Sequence, residues 1–341
     1  MSAVSNFSTL TLADFIKGVS DTVIQDSVLL NELEEAGRIK KSCGGNGYEF
    51  RLRVSSANIG GVVTDHNTGV ARMINTDVTA TARFRPYLWR LFENTFERDR
   101  QQFAPNSSVI ADQEEHDLNV VKQEASNRID KHLCGDGSTL QTGDVTGATP
   151  PEGLESIVLA SGTYFGLARA TYTSLNSQLV TCTNPGSYDD GINNNLLLSM
   201  DELWVACSGG KAAEGSIKPD VMTSKEEPDL ILCTSTLFRT FRAASMPQQQ
   251  YTGDKVDPRK SLAYGTAALK WGTNITANRL YMLNKKRMQV RVVGPQLVRL
   301  LDPIMTHSPV GKIHPIIAQL QMHSDDPRKL GKLTTSGVGA G

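Results

Sequence analysis

The sequence predicts an α+β fold, on three observations. Apolar and polar side chains alternate at 48–54 and again at 78–84, a long helical period runs from 112 to 133, and strand-like segments interleave with helix-like ones after residue 150. With 341 residues the chain has room for two or three packed units of ~150 residues. Lysine and arginine total 35 against 36 aspartates and glutamates, a net charge of -1, which excludes a chain-wide polybasic or polyacidic binder.

Residues 1–46 read as an amphipathic arm. Leu10, Leu12, Phe15 and Ile16, then Val23, Ile24, Val28, Leu29, Leu30 and Leu33, recur at roughly helical spacing before Gly37, so the arm must lie on another surface. In the next segment Tyr48, Phe50, Leu52 and Val54 share one strand face, and Glu49, Arg51, Arg53 and Ser55 the other. Val78, Ala80, Ala82 and Phe84 likewise oppose Thr79, Thr81, Arg83 and Arg85. The two strands predict one long hairpin, whose tip at 56–77 is too long for a tight turn and projects from the body. Residues 87–103 fit a helix through Leu88, Leu91, Phe92 and Phe96, and equally one strand face through Leu88, Phe92 and Phe96.

Asp112 is a good helix cap with Glu115 three residues on, and Leu118, Val121, Ala125, Ile129 and Leu133 follow on one face up to Gly135. The expectation is a spine helix at 112–134, about 33 Å long at 1.5 Å per residue. After a Gly-, Thr- and Pro-rich link, 156–159 reads as a strand, Leu196, Met200, Leu203, Trp204 and Cys207 as a helix, 230–233 as a strand, and the surroundings of Phe238 and Phe241 as a helix. Residues 280–283, 288–293 and 313–322 read as strands, and no internal repeat is visible.

Residues 1–6 lack the basic start and apolar run of a secretion signal, and no apolar run approaches ~18 residues, which points to synthesis in the cytoplasm. Cys43, Cys134, Cys182, Cys207 and Cys233 are odd in number and form no C-x-x-C pair, so reduced and mostly buried thiols are expected. The motifs of dinucleotide and nucleoside-triphosphate enzymes, zinc proteases and serine hydrolases are all missing. Ser208-Gly209-Gly210-Lys211 matches S-x-x-K, but its glycines read as a helix C-cap. His116 and His132 stand about four helical turns apart and cannot share a metal, and the acids around His116 suit a helix start. No catalytic residue, metal or cofactor is expected. The stretch 270–299 carries Lys270, Arg279, Lys285, Lys286, Arg287, Arg291 and Arg299 without an acid, interleaved with Trp271 and Tyr281. Its two readings are a nucleic-acid-binding module and a pair of strands with solvated basic faces.

The order of pieces carries a resemblance: arm, long hairpin, acid-capped rod helix, compact α+β unit, returning strands. Short stretches add to it. They are Gly153-Leu154-Glu155-Ser156-Ile157, Gly162-Thr163-Tyr164-Phe165-Gly166-Leu167-Ala168-Arg169 and Pro228-Asp229-Leu230-Ile231-Leu232, then Tyr281-Met282-Leu283-Asn284 ahead of Met288-Gln289-Val290, and Asp326-Pro327-Arg328-Lys329-Leu330-Gly331-Lys332-Leu333. Over nearly its whole length the chain resembles the major capsid proteins of tailed bacteriophages, with the Hong Kong ninety-seven fold. It departs from them at Leu175-Asn176, where relatives often carry a Trp-Arg-like pair, and in starting at the arm, which implies that any scaffold is a separate protein.

The resemblance implies an arm at 1–46, an extended loop at 47–92, a peripheral domain at 93–190 and 303–341, and an axial domain at 191–302. The implied function is a non-enzymatic shell protein that forms hexamers and pentamers of a virion head around DNA. Its implied partners are itself and separate scaffold, portal and decoration proteins. An encapsulin-like compartment on the same fold, the nucleic-acid module and a dispersed hydrolase are the alternatives. The loop at 47–92 holds six arginines against three acids, a net of +3, while 112–117 holds four acids and no base. The expected inter-subunit contacts are therefore Arg51, Arg53, Arg83 and Arg85 with Asp112, Glu114, Glu115 and Asp117 of a neighbour. Some family members weld their shells through a lysine in this loop; here 47–92 has none, and the nearest are Lys40, Lys41 and Lys122.

Overall fold

A computed structural model describes residues 23–53, 77–94, 108–135, 144, 149–183, 196–209, 227–249, 262–302, 304–305 and 311–336. They fall in two compact units. The first takes 1–47, 83–153 and 290–322, and the second takes 48–82, 154–289 and 323–341.

The first unit begins with a helical turn at 23–26 and helix α1 (Val28–Glu35). Ser27 caps α1 by accepting from the Leu30 N–H, and its Oγ donates to Asp130 Oδ1 at 2.6 Å. The helix stops where the pattern requires: Arg38 N donates to Leu33 O and Gly37 N to Glu34 O, with Gly37 at φ +67°, a conformation strained for other residues. Strand β1 (Ile39–Cys43) follows. Val23, Ile24, Leu29, Leu30 and Leu33 are almost fully buried within the chain itself. For residues 23–33 the surface on which the arm must lie is thus in the chain itself, where the apolar stripe, its cap and the following strand complete a local αβ piece. Leu10, Leu12, Phe15 and Ile16 lie outside the described residues.

β2 (Gly47–Arg53) and β3 (Asp77–Arg83) pair in a two-stranded sheet, as the alternation predicts, and the tip lies outside the described residues. β4 (Arg85–Asn94) resolves the ambiguity at 87–103 as far as Asn94 in favour of a strand. What decides it is ten consecutive partners on a later strand, from Arg85 opposite Leu320 to Asn94 opposite Gly311. Its buried side is that of Tyr87, not of Leu88. Residues 85–92 thus belong to a larger sheet and not to the hairpin.

Helix α2 (Ser108–Cys134) has 27 residues and is about 40 Å long. It begins four residues before the expected cap, so Asp112 sits inside it; Val109, Ile110 and Ala111 include no glycine or proline to stop it there. Ala125, Ile129 and Leu133 are buried as expected, Val121 is half-buried, and Leu118 lies outside the residues whose side chains are described. At the helix end Gly153 passes so close that a Cβ there would lie 2.0 Å from the Gly135 carbonyl oxygen.

Residues 156–159, read as a strand, instead overlap a single helical turn, α3 (Leu154–Ile157), since four residues are too few to show a period. The second unit continues with the ribbon β5 (Thr163–Tyr164) and β6 (Leu167–Ala168), then β7 (Gln178–Cys182), α4 (Leu196–Gly209), β8 (Leu230–Cys233), α5 (Ser235–Gln249), β9 (Leu262–Tyr264), β10 (Ala267–Trp271) and β11 (Arg279–Leu283). After β12 (Met288–Val293), β13 (Val298–Leu300), β14 (Ile304–Met305) and β15 (Gly311–Ser324), β16 (Gly331–Thr335) returns to this unit. Its sheet has the order β7-β16-β11-β8-β10-β9. Leu196, Met200, Leu203 and Cys207 of α4 and Leu237 and Phe241 of α5 pack on Cys182, Ile231, Leu269, Leu280 and Leu333 of the sheet to form its core.

The first unit's sheet runs β1-β12-β15-β13, with β4 and β14 also paired to β15, and α2 covers it through Tyr87 and His132. The units divide the chain differently from the expected domains: β7 and β16 join the strands of 191–302, while β12 and β13 join β15. None of the five cysteines is in a disulfide, and four are buried.

Candidate interaction surface

The hairpin is two-faced. Phe50, Leu52, Ala80 and Ala82 are buried, while Glu49, Arg51, Thr79, Thr81 and Arg83 are exposed. An aromatic cluster of the second unit holds the buried face. Phe50 lies 4.4 Å from the His323 ring and edge-on to Phe165 at 5.3 Å, and Tyr48 Oη and His323 Nδ1 share a hydrogen bond of 2.7 Å. Tyr164 Oη ties the same cluster to the backbone, donating to Ser324 O and accepting from Ser324 N. The opposite face is thereby fixed outward as a cationic, hydroxyl-bearing strip. Chemically it suits carboxylates.

Of the expected contact residues, Arg51 and Arg83 are on this strip and Arg53 ends β2. Arg85 opens β4, half-buried, in the six-stranded sheet and not in the hairpin. Asp112, Glu114, Glu115 and Asp117 stand within the first ten residues of α2, with side chains outside the described set.

Of the stretch 270–299, Arg291 and Arg299 belong to the first unit and the other basic residues to the second. Tyr281 is fully buried and donates to Glu155 Oε1 at 2.5 Å, so it offers no face to a base. Arg279 Nε and Lys332 Nζ donate to the same carboxylate at 3.2 and 2.8 Å. Burial alone would raise the Glu155 carboxyl, but the bonds from Lys332 and Tyr281 and the charges of Lys332 and Arg279 prevail and hold it below the usual range. Trp271 is half-exposed, without a described aromatic or basic ring partner.

Two polar clusters gave no signal in the sequence. Arg169 has no exposed surface, yet it donates to the carbonyls of Leu159, Leu175, Ser156 and Ile157 and lies 5.0 Å over the Tyr164 ring. His132 shares a 2.9 Å hydrogen bond with Tyr87 Oη through Nδ1, and its Nε2 lies 3.2 Å from Asp144 Oδ2, which Arg128 also reaches at 2.9 Å. Burial pulls the His132 imidazole below its ordinary pKa, with Asp144 opposing it. Among the described residues no group of His, Cys, Asp or Glu has the arrangement of a metal site, and no helix is long and apolar enough to cross a membrane. His116 lies outside the described side chains.

No family model matches the chain, and no curated protein matches it by sequence. Solved structures do match. The capsid of cyanophage A-1(L) superposes with a TM-score of 0.62 at 14% identity, over 89% of this chain and 92% of that one. The capsid of the native GTA particle gives 0.53 at 9% identity, over 89% and 90%. The holo-SrpI encapsulin complex from Synechococcus elongatus gives 0.50 at 10% identity, over 89% and 86%. The likeness spans about nine-tenths of the chain at TM-scores of 0.62 and 0.53, and the fold is the Hong Kong ninety-seven capsid fold.

Proposed function

We propose that this chain is a major capsid protein whose copies assemble into hexamers and pentamers of an icosahedral phage head around double-stranded DNA. The observation that carries the reading is the likeness to the cyanophage capsid across 89% of the chain. In this reading the first unit with α2 serves as the peripheral domain and the second as the axial domain. Arg51, Arg53 and Arg83 of the hairpin, with Arg85 beside it, meet Asp112, Glu114, Glu115 and Asp117 of a neighbour. The role is structural, the mature location is the virion after assembly in the host cytoplasm, and scaffold, portal and decoration proteins are its further partners. An encapsulin-like compartment is the second reading, supported by the Synechococcus match at the lower TM-score of 0.50. Negative-stain microscopy of the purified chain tests both. Closed shells or capsomers are expected, a persistent monomer overturns both, and a cargo enzyme in place of DNA inside shells from the native source decides for the compartment.

A further inference from the structure

The sequence holds a single Asn-Gly pair, Asn46-Gly47. It stands at the bend between β1 and β2, after Gly44 and Gly45, and Asn46 is exposed. A Cβ at Gly44 would meet nothing within 4 Å, and one at Gly45 only Gly47 O at 3.6 Å, so the bend is uncrowded. Asn46 O accepts from Phe84 N at 3.1 Å. In a trans peptide the carbonyl and the N–H that follows it point opposite ways, so Gly47 N–H turns away from Phe84, toward the edge of β2 that has no strand partner among the described residues. That nitrogen is outside the ladder, beside an exposed side-chain amide, and its own residue carries no Cβ to hinder an attack. Asn176 is the opposite case: it is half-buried, and the nitrogen that follows it, Ser177 N, donates to Leu159 O at 2.9 Å.

We propose that Asn46 is a spontaneous modification site, which converts to isoaspartate and aspartate as the folded chain ages. Gly47 N, once it has lost its proton, bonds to Asn46 Cγ, and the side-chain nitrogen leaves as ammonia to close a succinimide ring. Water opens the ring at either carbonyl. One water is taken up and one ammonia released, nothing is oxidised or reduced, and a carboxylate stands where the amide was. In the isoaspartate product the backbone runs through the side-chain carbons and is longer by one methylene, next to the bond that Phe84 makes. Both products place a negative charge on the residue bonded to Phe84, whose neighbours in sequence are Arg83 and Arg85. On the capsid reading those arginines meet a neighbour's acids, so a carboxylate of the same chain competes for them and aged copies assemble less well. This consequence rests on the capsid reading; the modification does not.

The test holds the purified full-length chain at mildly alkaline pH, digests samples with trypsin over time and weighs fragment 42–51, whose only side-chain amide is Asn46. The fragment should gain the mass difference between a hydroxyl and an amine, and an isoaspartyl methyltransferase should then methylate it, while the fragment carrying Asn176 keeps its mass. Asn46→Gln should abolish both signals. A fragment 42–51 that keeps its mass in the folded chain overturns the proposal, whether or not urea unmasks the change. For the consequence, a partly aged sample is assembled and the particles are separated from free chains. Unconverted Asn46 should be enriched in the particles, and Asn46→Asp should lower their yield. Equal shares in both fractions overturn the consequence and leave the modification in place. Absence of particles from fresh wild-type chain overturns the capsid reading and the consequence with it, but not the modification.

Discussion

Arg169 and His132 are buried for different reasons and respond to different perturbations. The Arg169 guanidinium replaces water with backbone carbonyls, one of them from Ile157 at the end of α3, in a fork that lysine cannot reproduce. Arg169→Met strands those carbonyls and should cost about 3 to 5 kcal/mol in a urea melt. Arg169→Lys should recover only part of this, and full recovery would mean that charge alone matters. His132 resists protonation because charging it would cost desolvation. Its folded pKa lies below that of the unfolded chain, about 6.5, so its stabilising contribution is complete above that pH and is lost as the pH falls toward the folded value. The melting-temperature gap between wild type and His132→Gln should therefore narrow from pH 7.5 to 5.5, and a constant gap would assign His132 to packing only. Neither residue's burial was legible in the sequence, because the partners of Arg169 are loop and turn carbonyls that make no periodic pattern, and those of His132 are Tyr87, 45 positions earlier, and Asp144, beyond the helix end.

Periodic elements were legible where the period had room to repeat. The hairpin's two-residue alternation over seven positions per strand gave both its pairing and its exposed face. The body of α2 was legible too, but not its start, since several residues there can begin a helix, and the start of the arm's packing was hidden because burial within the chain and burial by a neighbour write the same stripe. Ile129→Ala should cost about 2 to 5 kcal/mol, whereas Val120→Ala, at a position 52% exposed, should stay within about 0.5 kcal/mol; equal effects would mean that α2 is turned differently. Deleting 1–22 should leave the fold intact and impair assembly, while deleting 1–36 removes α1 and should lower the melting temperature of the subunit as well. Arg51→Glu with Arg83→Glu should leave the subunit's melting unchanged and weaken assembly in a salt-dependent way, each exposed pair contributing ~0.2 to 1 kcal/mol. Glu114→Arg with Glu115→Arg should restore part of that loss, and no rescue means that the acids lie elsewhere.

For the whole molecule, the chemistry of 47–92 excludes one way of making a shell permanent. An amine nucleophile is needed to form an amide link, and a guanidinium stays protonated and unreactive. With six arginines and no lysine in that stretch, particles boiled in detergent and reductant should give one band at the mass of one chain. A ladder of multimers would redirect attention to Lys40, Lys41 or Lys122.

The place of β16 has a further consequence. It lies between β7 and β11, in parallel register with β7 from Gly331 opposite Gln178 to Thr335 opposite Cys182, and β7 has no other strand partner among the described residues. On the ribosome, then, β7 emerges roughly 150 residues before β16, its strand partner among the described residues, and at ~5 to 20 residues per second it waits many seconds. A nascent chain that stalls or is cut short before 331 is left with its sheet in two pieces and α4 only half seated. A chain ending at residue 330 should therefore be cut faster than the full chain in limited proteolysis and should fail to enter assemblies, and equal resistance of the two would show that β7 is held without β16.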